Sequence, residues 1–148
     1  MPNVYSRTTK IHDAVGRSMY ISGATGKQEE VLLHGRSMQH DWLFFAEYEK
    51  THEHNPGQKQ NQARELVIAL PNDLASTERN GTSHEQKETL SEICENLALA
   101  IVGPKHDYEY CVHWNHDRTN LHVHMMFSER ENTEARPMTY KKRHLERS

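Results

Sequence analysis

Cysteine is scarce, with only Cys94 and Cys111 among 148 residues. That scarcity excludes a disulfide framework as the means of holding the fold. No apolar run approaches bilayer-spanning length, and the N-terminus lacks the apolar stretch of a secretory signal. The expected setting is a reducing cytoplasm, with no membrane partner. Also missing are internal repeats, low-complexity tracts, a glycine-rich phosphate loop and any C-x-x-C pair. With 34% hydrophobic residues, the chain has enough apolar material for one core, so residues 1–148 are expected to form a single domain.

A net charge of −3 argues at first against nucleic-acid binding, which favours a basic surface. The distribution argues otherwise. Residues 1–36 set Arg7, Lys10, Arg17, Lys27 and Arg36 against Asp13, Glu29 and Glu30, while residues 136–148 set Arg136, Lys141, Lys142, Arg143 and Arg147 against Glu146 alone. Positive charge therefore gathers at the two ends, and Arg7, Lys141, Lys142 and Arg143 are candidate DNA contacts; a solvated tail is the competing reading of the C-terminal run.

What is present in quantity is histidine, twelve residues in all, and three of them fall in CVHWNHDRTNLHVHMMFSER, residues 111–130. Strand side chains alternate between faces. In the run DYEYCVHWN, Tyr108, Tyr110, Val112 and Trp114 share one face, and Glu109, Cys111, His113 and Asn115 the other. In NLHVHMMF, Leu121, Val123, Met125 and Phe127 share an apolar face, with His122, His124 and Met126 opposite. Residues 116–120 join the two runs and contain turn formers, so the segment predicts an antiparallel hairpin. Pairing His113 with either His122 or His124 leaves all three imidazoles on one side, because a two-residue slip preserves the face. Such a trio is able to occupy three positions on a divalent ion and leave others open, as catalytic metal sites do.

The remaining segments read as follows. NVYSRTTKI predicts an early strand, and AVGRSMYIS a helix with Val15 and Met19 on its apolar stripe and Tyr20 presented away from it. Gly16 leaves room for a phosphate, and Arg17 is a candidate to pair with it and so contact DNA. Residues 22–36 read as a loop around Val31, Leu32 and Leu33. A helix is expected from Ser37, with Met38, Trp42 and Phe45 on one side, ending at the breakers Asn55, Pro56 and Gly57. Residues 64–70 alternate as a strand with Leu66, Ile68 and Leu70 inward and Glu65 on the histidine side. Glu65 is therefore a candidate to fix a ligand imidazole from behind. Ser83 and Gln86 make a capping box for an amphipathic helix over about 84–101, stopped by Gly103 and Pro104. The sum is α/β: an antiparallel sheet of four or five strands, with helices mainly on one face and the other left for metal and DNA.

NLHVHMMFSER, with His113 upstream, resembles the third motif of MobA/MobL-type relaxases, the histidine-hydrophobe-histidine (HUH) endonucleases that nick plasmid DNA for conjugative mobilization. ARELVIALPNDL, residues 63–74, resembles the strand before that family's long helix, and AVGRSMYISG, residues 14–23, its tyrosine-bearing helix; the three occur in the family order. The resemblance implies an HUH-type fold, Tyr20 as nucleophile, and His113, His122 and His124 as metal ligands. It implies single-stranded DNA at a transfer origin as substrate, with accessory mobilization proteins as further partners. Relaxases of this kind continue into further modules, so the basic end at Ser148 is expected to be a truncation. Some relatives carry a second acidic residue where Val67 stands here.

Two chemistries fit these residues. One is tyrosine transesterification, which leaves a 5′-phosphotyrosine and a free 3′-hydroxyl. The alternative is hydrolysis by metal-activated water, with Tyr20 structural. Imidazole ligands favour Zn²⁺ or Ni²⁺ in affinity, whereas phosphate chemistry more often employs Mn²⁺ or Mg²⁺, the expected working ions.

His116 competes with His113 for the third ligand position, but it falls in the turn, three residues on from His113. His113→Ala is accordingly expected to abolish most Mn²⁺ affinity in a calorimetric titration, whereas His116→Ala remains close to wild type; the reverse pattern moves the ligand into the turn.

Overall fold

The computed structural model describes residues 8–26, 30–52 and 57–132. The expectations for Arg7, for Lys141, Lys142 and Arg143, and for the breakers Asn55 and Pro56 lie outside these residues. The order of elements is β1 (Thr9–Ile11), α1 (Ala14–Ile21), β2 (Val31–Ser37), α2 (Trp42–Thr51), β3 (Ala63–Leu70), a 3₁₀ turn (Asn72–Leu74), α3 (His84–Ile101), β4 (His106–Trp114) and β5 (Leu121–Glu131). The five strands form one sheet in the order β1-β3-β5-β4-β2, and every neighbouring pair is antiparallel. The expected α/β class and antiparallel sheet are both present.

The first core forms where α3 crosses one face of the sheet. The Ser83 hydroxyl accepts from the Gln86 N–H at 3.1 Å, and the Gln86 carboxamide accepts from the Ser83 N–H at 2.8 Å, which completes the capping box. Leu90, Cys94 and Ala98 are buried along α3 against Leu66, Ile68, Val112, Val123, Met125 and Phe127 from the central strands. Each leucine-sized side chain buried in this way stabilises by about 2 kcal/mol. The helix ends at Gly103, which takes φ +87° and donates to the Ala98 carbonyl at 3.0 Å.

The helices divide between the two faces rather than gathering on one. On the histidine side, Ile11, Ala14, Ile21, Trp42, Phe45, Ala63, Cys111 and Met126 form a second core, so α1 and α2 cover the part of that face where the strands supply apolar residues. The buried face of α1 is Ala14, Ser18 and Ile21, whereas Met19, expected on the apolar stripe, is 48% exposed. Helix α2 begins at Trp42, not near Ser37, because Asp41 caps it and the Asp107 carboxylate accepts from the Gln39 and His40 N–H groups at 2.9 Å each. The expected loop over 22–36 is in part the edge strand β2, which pairs with β4 across a bulge between Val31 and Leu33. Gly35 permits this pairing, since a Cβ there would come within 2.4 Å of the Tyr110 ring.

A buried carboxylate ties both helices to the sheet. Glu109, 1% exposed on β4, accepts from Ser18 Oγ of α1 at 2.5 Å, Trp42 Nε1 of α2 at 2.9 Å, and His34 Nε2 and Arg36 Nη2 of β2 at 2.5 and 3.0 Å. Burial raises its pKa, but the hydrogen bonds from Ser18, His34 and Trp42 and the Arg36 charge outweigh it and hold the carboxyl below its ordinary value.

Removing this carboxylate leaves two buried donors, Ser18 and Trp42, unpaired. Glu109→Ala is expected to lower stability by about 3 kcal/mol at pH 7, against about 1 kcal/mol for the exposed cap change Ser83→Ala, both read from urea unfolding. A carboxyl with a depressed folded pKa stabilises fully above its ordinary value of 4.5 and loses that contribution as pH falls through the folded value. The Glu109→Ala penalty is therefore expected to shrink below pH 4.5.

Candidate active site

Strands β4 and β5 pair with His113 opposite His122 and Cys111 opposite His124, which selects one of the two registers that alternation leaves open. The three imidazoles converge on one face, with ring centroids 6.0 Å apart for His113 and His122, 5.2 Å for His113 and His124, and 4.9 Å for His122 and His124. Imidazoles that share an ion through nitrogens at about 2.1 Å hold their centroids about 5 Å apart. The backbone thus supplies the spacing. Among the described residues no group of three such side chains is placed to hold an ion as it stands. His116 is exposed in the hairpin turn.

Each imidazole has a nitrogen to spare. His113 is 1% exposed, and neither ring nitrogen has a hydrogen-bond partner among the described residues; the Ile21 carbonyl lies nearby without ordinary hydrogen-bond geometry. Burial, reinforced by His124 and His122, lowers its pKa to about 4, so the ring is neutral at pH 7. A buried polar group left unsatisfied costs about 1–3 kcal/mol, a cost that ligation would remove. Burial also lowers the pKa of His122, whose Nδ1 faces the Asn120 carbonyl at 3.3 Å. His124 donates from Nδ1 to Glu65 Oε2 at 2.7 Å, which leaves its Nε2 lone pair free. The donor chemistry of the three imidazoles suits a divalent ion.

Glu65 sits on β3 between β1 and β5, so it is an interior-strand residue, 3% exposed. Arg17 grips it with two hydrogen bonds, Nε to Oε1 at 2.5 Å and Nη2 to Oε2 at 2.8 Å. Burial pushes the Glu65 pKa up, but the bonds from Arg17 and His124 prevail and hold it at about 2. Both carboxylate oxygens are engaged. Val67 lies opposite His124 across the β3–β5 pair, so that position offers no carboxylate.

Tyr20 occupies the last turn of α1 and is 36% exposed. The Arg17 guanidinium lies over its ring, 5.2 Å from the centroid. Ile21, the next residue, is fully buried in the second core, and its carbonyl faces His113. The tyrosine helix is therefore tied to the cluster by Arg17 and Glu65, which reach His124. Gly16 does not open space for a phosphate: a Cβ there would come 2.3 Å from the Asp13 carboxylate, which caps α1 by accepting from the Gly16 N–H at 3.0 Å. An open cleft of about 420 Å³, lined by Val67, Ala69, Asn120 and His122, adjoins the cluster. The sequence placed Glu109 on the histidine face without a role for it and assigned Asp107 no part. Both share the histidine parity on β4, and that was the signal available.

Residues 20–148 match the family model of the relaxase MobA/VirD2-like nuclease domain. The chain belongs to this relaxase family. The match begins at Tyr20 and takes in Glu65 and all three histidines, whereas Arg17 lies ahead of it. No curated protein matches the relaxase. Membership makes it a DNA-nicking endonuclease, with single-stranded DNA as the polymer it engages. Among its described residues no helix is long and apolar enough to cross a membrane.

The Glu65 contact fixes which His124 nitrogen carries the proton. In ¹⁵N-detected spectra at pH 7, His124 of the wild type is expected to be protonated at Nδ1. In Glu65→Ala it is expected to shift toward the Nε2-protonated tautomer, and an unchanged spectrum excludes Glu65 as its orienter.

Proposed function

We propose that this relaxase nicks single-stranded DNA at a plasmid transfer origin by transesterification, with Tyr20 as the nucleophile and a divalent ion held by His113, His122 and His124. The observation that carries the reading is the tether of the tyrosine helix to the histidine cluster, from Arg17 through Glu65 to His124. The exposed Tyr20 hydroxyl attacks the scissile phosphorus, the bond to the 3′ oxygen breaks, and the DNA is left with a free 3′-hydroxyl and a 5′-phosphate joined to the tyrosine. Mn²⁺ or Mg²⁺, with Zn²⁺ or Ni²⁺ as alternatives, supplies charge stabilisation to the nonbridging phosphate oxygens.

The chain's own residues divide the remaining work. His113 enters as a neutral ring, so no proton has to leave it at pH 7 before it serves as a ligand. His124 is oriented by Glu65, which fixes its tautomer from behind. The cleft beside His122 gives a stretched strand an apolar wall at Val67 and Ala69 and the polar Asn120 next to them. Basic residues of the two ends, Arg7, Lys141, Lys142 and Arg143, supply phosphate contacts that strengthen binding without reading sequence.

A denaturing gel tests the chemistry directly. With Mn²⁺ and an oligonucleotide that carries the transfer-origin site, a covalent protein–DNA adduct is expected from the wild type and none from Tyr20→Phe, with cleavage lowered at least 10³-fold. Nicking that survives Tyr20→Phe while remaining sensitive to chelation points instead to attack by water.

A further inference from the structure

The sequence casts Arg17 as a phosphate contact, yet its guanidinium is already spoken for. Two of its nitrogens hold the two oxygens of Glu65, at 2.5 and 2.8 Å, and its plane covers the Tyr20 ring at 5.2 Å. Glu65 passes the contact on to His124 Nδ1 at 2.7 Å. A four-residue chain, Tyr20–Arg17–Glu65–His124, therefore joins the exposed tyrosine of α1 to a buried strand of the sheet. Arg17 and Tyr20 stand three apart, hence neighbours on one helix face, and Glu65 comes from 48 residues away.

We propose that Arg17 is a positioning residue: its paired contact with Glu65 and its stack on Tyr20 fix the nucleophile relative to the histidine cluster, and it is not a phosphate contact. The inference rests on the assignment of Tyr20 and the three histidines above. Geometry decides the role. A bidentate guanidinium–carboxylate pair is planar and resists rotation in a way that a single charge contact does not. Glu65 is 3% exposed, so a swing of Arg17 toward DNA strands a buried carboxylate with His124 as its remaining side-chain partner. Arg17 itself is one-third exposed, near enough to the surface for substitution to leave the cores intact.

The two roles separate in experiment. Arg17→Met preserves bulk over the Tyr20 ring and removes both hydrogen bonds, whereas Arg17→Lys preserves charge and loses the paired plane. For a positioning residue, Arg17→Met is expected to weaken Mn²⁺ binding by calorimetry about fivefold without DNA, and to slow single-turnover nicking about 10²-fold at saturating Mn²⁺ and DNA. DNA affinity and its salt dependence are expected to stay at wild-type values. Arg17→Lys is expected to recover Mn²⁺ affinity but not the nicking rate. In the Arg17→Met, Glu65→Gln double variant, the rate is expected to fall no further than in the worse single variant.

A salt slope reduced by about one with unchanged Mn²⁺ affinity overturns the proposal in favour of a phosphate contact. Full nicking by Arg17→Lys, or additive losses in the double variant, overturns it as well. Should Arg17→Met fail to fold, Arg17→Lys carries the test through its split between metal affinity and rate. Failure of the functional reading looks different: the wild type itself then binds no Mn²⁺ or forms no adduct.

Discussion

Everything at the active face depends on keeping charge buried but paired. Glu65 and Glu109 lie on neighbouring parts of the sheet, nearly inaccessible to water, and each is tolerable there only because donors from other elements converge on it. Those donors come from α1, α2, β2 and β5. Two carboxylates that must be satisfied from four elements dictate where those elements sit, and the tyrosine helix, which serves both, is the one most affected. Through Ser18 it is bound to Glu109, and through the preceding residue, Arg17, to Glu65.

The sheet has two differently built faces as a result. The α3 face is a continuous apolar core, whose contribution grows with buried area and does not depend on the direction of any one contact. The opposite face combines a smaller apolar core with directional polar contacts. Directional contacts suit a site. They fix the tautomer of His124 and hold α1 in register with the hairpin, while leaving His113 with nitrogens that no hydrogen-bonding group among the described residues occupies. A stabilising network and a site poised for a ligand share the same strands.

The sheet places the parts of the candidate site according to strand order rather than sequence order. β5 lies between β3 and β4, so Glu65 approaches His124 from one side and His113 approaches His122 from the other. The hairpin alone would bring the histidines together; only the crossover of β3 brings the carboxylate behind them. Tyr20 arrives from yet another element, and the buried Ile21 and the Arg17 pair are what hold it near.

The sequence by itself determined the features that rest on local periodicity. Alternation in residues 107–127 put His113, His122 and His124 on one face, and the same parity put Glu65 with them, because strand side chains repeat every two residues whatever the rest of the chain does. The capping box at Ser83 and Gln86 and the 84–101 helix were equally legible, since cap and stripe lie within the segment itself. Strand β2 was not, for its pairing is decided by β4 and by the fit of Gly35 against Tyr110, residues 75 apart. The apolar residues of the histidine face, Cys111 and Met126, gave no hint in sequence that two helices would settle there. Arg17 shows the division most clearly. Its charge and its place beside Tyr20 are read from the sequence, but that its charge is taken up by Glu65 is a fact of tertiary structure, because a partner 48 residues distant leaves no local trace.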